Sequence, residues 1–178
     1  MKPRIPRLVG LVASGAGGVD ARLRRELVEP AAERGWRLAV VFTPVAATWF
    51  EATGELGKIQ AVCDLPVRWQ PRLPGQSKPY PLPDGFLFVP ATANSLAKLA
   101  LGVADNQALS NLGEALGARL PLVVRPQAGP AQRAHPAFAG HLATLAAAGA
   151  RIEDGPADAD WEPLLDVLDE LLPLGGTG

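Results

Sequence analysis

The stretch from Gly85 to Asn106 constrains this chain more than any other. Gly85-Phe86-Leu87-Phe88-Val89 is an unbroken apolar run of strand length, the pattern of a strand covered on both faces in a parallel sheet. Pro90-Ala91-Thr92-Ala93-Asn94-Ser95 then replaces bulk with small, hydroxyl and amide side chains, and apolar spacing at Leu96, Leu99 and Val103 predicts a helix. A strand that feeds a helix in this way puts Thr92 and Asn94 at a helix N-terminus. Free amides and the positive end of the helix dipole favour an anion there, and small residues let a flat ligand approach closely. Two readings of Asn94 stand together, a helix cap and a ligand contact. After Gly102, Asp105 and Asn106 start a second turn.

The rest of the chain repeats this alternation. Residues 8–13 are a continuous apolar run followed by Ser14-Gly15-Ala16-Gly17-Gly18, a loop that can turn tightly but lacks both the Lys-Ser/Thr ending of a P-loop and the G-x-G-x-x-G spacing. Asp20 is placed to cap the next helix, whose face is Leu23, Leu27, Val28 and Ala31, with Pro30 bending it and Gly35 ending it. Residues 36–43 form a second strand ending at Thr43-Pro44, and a short helix follows through Trp49 and Phe50. A short helix over 55–65, a short strand over 67–69, a helix from about Ala108 to Leu116 and a strand over 121–125 come next. His135-Pro136 opens a helix with Phe138, Leu142, Leu145 and Ala146 on one face and Gly149 at its end. Arg151-Ile152 is a brief last strand, and Asp160 caps an amphipathic helix from Trp161 to Leu172.

Strands alternating with helices predict a single-domain, doubly wound, Rossmann-like three-layer α/β sandwich with a mainly parallel sheet. Ligands of such folds sit at the carboxyl ends of the strands, where Ser14, Thr43 and Thr92 would converge on one crevice. Thr43 has a plainer reading, a hydroxyl that satisfies a loop amide. The segment 71–84 holds five prolines and cannot be regular structure. Its chemically useful residues are Arg72, Lys78 and Tyr80, placed either to meet an anionic ligand or to stay solvated.

Composition narrows the partners. With 178 residues, 48% of them hydrophobic, the chain suits one domain over 1–173 with a short flexible tail at 174–178. A net charge of −1 and no basic block leave no electrostatic reason to expect nucleic acid or an anionic membrane. The lone Cys63 rules out an intrachain disulfide and reads as a small apolar residue. The first residues show no secretory signal pattern, so the expected location is cytoplasmic. No metal is expected.

PATANSLAKLALGVADN, residues 90–106, resembles the P-A/S-x-A-N-T-x-x-K-x-A-x-G-x-A-D-N signature of the homo-oligomeric flavin-containing Cys decarboxylases. That family includes phosphopantothenoylcysteine decarboxylases and the peptidyl-cysteine decarboxylases of lantibiotic pathways. The resemblance implies an FMN cofactor held by Ser14, Gly15, Thr43, Thr92, Ala93, Asn94, Ala104 and Asp105. It also implies a homo-oligomer, a trimer or a dodecamer built from trimers, acting on a small-molecule or peptide substrate.

The residues that carry decarboxylation differ from the family pattern. The family's catalytic His precedes the strand-ending Pro, and here that region is the proline-rich segment, with Gln76 near the corresponding place. The chain's two histidines, His135 and His141, both fall later, and His135 reads as a capping or core-satisfied residue. The family's substrate motif P-A/x-M-N-x-x-M-W-x-H-P aligns with 126–136. The prolines and His135 stay, whereas Ala128, Gly129, Gln132 and Arg133 replace Met, Asn, Met and Trp. No late Cys-containing clamp occurs in 151–161. Arg72, Lys78, Gln127, Gly129 and Arg133 are the candidate substrate residues of this altered pocket, and no catalytic residue is assigned. The segment RLPGQSKPYPLPD resembles an actinobacterial subgroup of flavoproteins. Two alternatives are a non-catalytic flavin-binding or accessory protein and a flavin prenyltransferase-like enzyme; the latter's expected acidic residue after the second strand and C-terminal arginine are not evident.

Overall fold

The structure is a computed structural model that describes residues 6–172. Its five strands are β1 (Leu8–Ala13), β2 (Arg37–Phe42), β3 (Gly85–Ala91), β4 (Leu122–Pro126) and β5 (Arg151–Ile152). They form one sheet in the order β2-β1-β3-β4-β5, and every pairing is parallel. The chain winds outward from β1 to β2, then crosses back to β3. The direction of winding therefore reverses between β1 and β3, and a crevice opens there above their carboxyl ends.

Alternation along each strand builds the three layers. Val9, Leu11 and Ala13 of β1, Leu38, Val40 and Phe42 of β2, and Leu87 and Val89 of β3 all point into one core. Val12, Val41, Phe86 and Phe88 point into the other. A period of two on a sheet covered on both faces makes each strand apolar throughout. The first core is closed by α1 (Val19–Leu23), α2 (Glu29–Glu33), α3 (Pro44–Ala52), α4 (Glu55–Val62) and α9 (Pro163–Leu171). The second is closed by α5 (Ala93–Ala100), α6 (Gln107–Gly117) and α8 (Phe138–Ala147). Gly10 belongs to this packing, because a Cβ there would sit 2.2 Å from the Phe86 ring on the neighbouring strand.

Several boundaries differ from the sequence expectation. Asp20 does not cap α1; Gly18 occupies the N-cap in the left-handed region at φ 80°, where an Asp side chain one residue into the helix cannot take its place. The expected bend near Pro30 is a π-helical turn, Arg24–Val28, between α1 and α2. Pro30 lacks an amide and crowds the carbonyl four residues back, and in the wider turn the Glu29 amide bonds Arg24 O instead. Val103 lies outside α5, since Gly102 at φ 72° ends the helix and leaves Val103 exposed. The expected strand at 67–69 shrinks to one bridge, Arg68 against Val41.

The helix expected to open at His135-Pro136 starts at Phe138, after the separate turn α7 (Pro130–Arg133). Its last residues run to Gly149 at φ 103°. The final helix begins at Pro163, and Asp160 acts just before it, its Oδ1 accepting from the Glu162 amide at 3.0 Å. The buried face of α9, Leu164, Leu165 and Leu168, packs on the sheet. The tail expected at 174–178 lies outside the described residues.

Candidate functional site

Four strand ends, those of β1 to β4, meet at the crevice because ladder bonds continue into their loops. The Ser14 amide donates to Pro90 O at 3.0 Å, the Thr43 amide to Ala13 O at 3.0 Å, and the Gln127 amide to Ala91 O at 2.8 Å. The cleft above them has a volume of about 400 Å³, within the usual range for a small-molecule site. Of the eight expected cofactor residues, Gly15, Thr43, Thr92, Asn94 and Asp105 line it. Ser14 is buried directly before Gly15, and Ala93 sits at the first position of α5. Ala104 is exposed and does not border the cleft. Ser95, Lys98, Asn106 and Gln132 also border it. Lys98 and Asn106 stand inside the 90–106 segment, so the spacing of Lys98 one turn beyond Asn94 was the available signal; Gln132 falls in the 126–136 segment aligned with the family's substrate motif.

Three helix N-termini border this cleft, those of α3, α5 and α6. Thr43 caps α3, its Oγ1 accepting from the Ala46 amide at 3.4 Å, which is the plainer reading of that hydroxyl. Thr92 caps α5 by accepting from the Ser95 amide at 3.4 Å. Asn94 is therefore not the cap; it stands exposed in the first turn of α5, beside amides that have no partner within the helix. Asn106 caps α6 through the Leu109 amide at 3.0 Å. Across the mouth, Lys98 Nζ reaches Asp105 Oδ2 at 2.5 Å. That hydrogen bond holds the Asp105 carboxyl below its usual range, so the carboxylate is charged at neutral pH.

At the cleft, one buried side-chain polar atom has no partner among the described residues. Ser14 is 1% exposed, and its Oγ bonds no described residue. A buried hydroxyl without a partner costs about 1–3 kcal/mol, so its retention at a ligand crevice points to a group supplied from outside. Beside it, a Cβ on Gly15 would stand 2.6 Å from Val45 Cγ1 and 3.3 Å from the Ala46 amide nitrogen. The floor of the cleft is thus closed to side chains and bare at the backbone.

The expected substrate residues divide into two groups. Arg72 and Lys78 border a separate pocket with Tyr80, between the proline-rich segment and α6. Gln127 spans from β4 to the first loop, its Nε2 donating to Gly17 O at 2.9 Å. Gly129 precedes α7, its amide donating to Gln132 Oε1 at 3.1 Å. Arg133 is committed elsewhere, forming a two-pronged pair with Asp154 at 2.8 and 2.9 Å. His135 Nδ1 accepts from the Ala137 amide at 3.2 Å, a turn contact on an exposed residue. Gln76 closes a tight turn, its Oε1 accepting from the Leu73 amide at 2.8 Å. Burial pushes the Cys63 thiol up to about 11, so it is protonated at neutral pH. Among the described residues no three His, Cys, Asp or Glu side chains converge on a metal position, and no helix is long and apolar enough to cross a membrane.

Residues 7–172 match the Flavoprotein family, and the chain belongs to it. Its fold resembles that of the FMN-dependent cysteine decarboxylase TvaF from thioviridamide biosynthesis, with a TM-score of 0.71 at 23% identity over 93% of this chain and 95% of that one. It also resembles MrsD from Bacillus sp. HIL-Y85/54728, with a TM-score of 0.72 at 15% identity over 96% and 98% of the two chains. AnUbiX (PadA1), solved with FMN and dimethylallyl pyrophosphate, gives a TM-score of 0.68 at 19% identity over 98% and 100%. A cysteine/cysteine sulfinic acid decarboxylase from an unknown prokaryotic organism is 38% identical over 69 residues. That match takes in 39% of this chain and only 18% of the relative's length.

Proposed function

We propose that this chain is an FMN-binding flavoprotein with a decarboxylase-like fold and an altered active site, acting on a small or peptide-derived anionic substrate. The observation that carries this reading is the unpartnered, buried Ser14 hydroxyl at the point where the winding of the sheet reverses. Ser14, Thr43 and Thr92 offer hydroxyls, and Ala93 and Asn94 offer helix-terminal amides, a donor set that suits a phosphate. Gly15 keeps the floor open to a flat ring, while Asp105 and Lys98 stand at the mouth. When bound, the flavin supplies an acceptor for a hydride equivalent. The chain itself orients the cofactor and keeps the Lys98 and Asp105 pair at the mouth.

The chemistry departs from ordinary phosphopantothenoylcysteine decarboxylation. Gln76 is spent on a turn, Gly129 has no side chain to hold a carboxylate, and His135 is occupied by a backbone amide. These same observations favour a second reading, a flavin-binding or accessory protein without turnover. Purified protein titrated with FMN should bind one flavin per chain and turn yellow; failure to bind in a fluorescence titration sinks the first claim. Incubating the loaded protein with phosphopantothenoylcysteine and with a peptide ending in Cys should release no carbon dioxide detectable by mass spectrometry. Turnover lost on His135→Ala would return the histidine to a catalytic role.

A further inference from the structure

The proline-rich segment has a structural partner that the cofactor cleft does not use. Residues 68–83 fold against α6 and enclose a pocket of about 150 Å³, bordered by Arg68, Arg72, Lys78, Tyr80, Gln107 and Asn111. Its size suits one small charged group rather than a whole cofactor. None of the three cations has a carboxylate within ion-pair distance among the described residues, whereas Arg7, Arg22, Arg24, Arg34, Arg37, Arg133 and Arg151 all do. Arg68 and Arg72 are held by backbone carbonyls instead, Arg68 Nη2 donating to Gln70 O at 3.2 Å and Arg72 Nη1 donating to Gln76 O. Carbonyls fix the direction of a guanidinium without neutralising it. Glu114 is the one acidic group at the rim, so the lining keeps a net positive charge.

Two sides of this pocket are held by packing and hydrogen bonding. Tyr80 packs on Leu8, Ala39 and Leu65, and Gln107 Nε2 donates to Asn111 Oδ1 at 2.6 Å. The pocket and the cleft share lining residues with a hollow between them. Asp105 and Asn106, at the mouth of the cleft, border a hollow that continues past Trp69 and Gln70 to Gln107, and Gln107 borders the pocket. From Asn106 to Asn111 along α6 is about 8 Å at 1.5 Å per residue.

Resting on the reading of the cleft as a flavin site, we infer that Arg68, Arg72 and Lys78 form an oxyanion subsite. It anchors the remote phosphate or carboxylate of an elongated substrate whose reacting end lies in the cleft. Charge-assisted bonds from guanidinium and ammonium groups to an oxyanion supply the affinity, and the separation of subsite and cleft selects for length.

The test uses FMN-loaded, full-length protein, in which the phosphate donors of the cleft are already filled. Isothermal titration calorimetry at low salt is run with inorganic pyrophosphate and, separately, with succinate. Saturable binding of either is expected, and which of the two binds assigns phosphate or carboxylate as the source. Arg72→Gln/Lys78→Gln should weaken it roughly tenfold or more, as loss of charged hydrogen bonds implies. Lys78→Gln alone, on an exposed side chain, should show part of that loss, while Arg25→Gln in the opposite helical layer should change nothing. Absence of saturable binding, or binding that survives the double variant, overturns the subsite. FMN affinity of the double variant should equal that of the unaltered chain. If the unaltered chain refuses FMN, the cleft reading fails by itself, and titration of the flavin-free protein with the same anions and variants still decides the subsite.

Discussion

At the scale of single residues, the role proposed for Ser14 sets ligand binding against stability. Its hydroxyl is buried without a partner, so Ser14→Ala should raise the melting temperature of the flavin-free protein, by an amount corresponding to about 1 kcal/mol, while weakening FMN retention. Thermal melts with and without FMN check both halves, and a lower melting point in the flavin-free variant would contradict the argument. Asp154 behaves in the opposite sense. The Arg133 guanidinium, followed by the Gly155 amide, holds its carboxyl below the usual 3.8. A depressed folded value contributes stability that is present above 3.8 and is lost as pH falls through the lower, folded value. Asp154→Asn should therefore be less stable than the parent at neutral pH, and urea titrations should show the gap closing as the pH drops below 3.8. Both groups are partly exposed, so solvent screening keeps the effect small.

At the scale of elements, α9 and the loop before it act as a clamp on the sheet. Leu168 is fully buried in the core beneath β3 and β4, and Leu168→Ala should cost about 2–5 kcal/mol in urea denaturation. The preceding loop is held by Arg125, which is 7% exposed and donates to Glu153 O at 3.2 Å and Pro156 O at 2.7 Å. A Cβ on Gly155 would stand 2.8 Å from Arg125 Nη1, and a guanidinium bonded at both ends has little room to retreat. Gly155→Ala should destabilise the fold by about 1–3 kcal/mol. Chemical denaturation showing no change would mean that the loop moves freely.

At the scale of the whole molecule, apolar side chains remain uncovered close to the cleft. Val45 is 54% exposed, Trp49 40%, Leu101 70% and Val103 43%; Val45 borders the cleft, and Leu101 and Val103 lead into Asp105. Exposed apolar groups grouped at a binding site mark an association surface. A homo-oligomer built from trimers is expected, with neighbouring copies covering these residues. Light scattering at micromolar concentration checks the mass, and a value near the 18.6 kDa of one chain would contradict the expectation.

Apolar runs alternating with helical patterns pointed to the class of fold, because strands that alternate with helices and are covered on both faces pair in parallel. The 85–106 segment likewise marked a strand-to-helix turn, since its strand, cap and helix are neighbours in sequence. Where a residue's role depends on a partner distant in sequence, only the tertiary structure decided it. Arg133 reads as a substrate residue until Asp154, 21 positions on, claims it. Ser14 reads in sequence as one of three hydroxyls at the crevice, and only burial shows that its hydroxyl has no partner among the described residues. Arg72 and Lys78 lie in a segment without periodicity, and packing against α6 is what makes a pocket of them. Local propensity and period are written in consecutive residues. Burial, pairing and cavity shape arise from contacts across the sheet and come into being only when the chain closes.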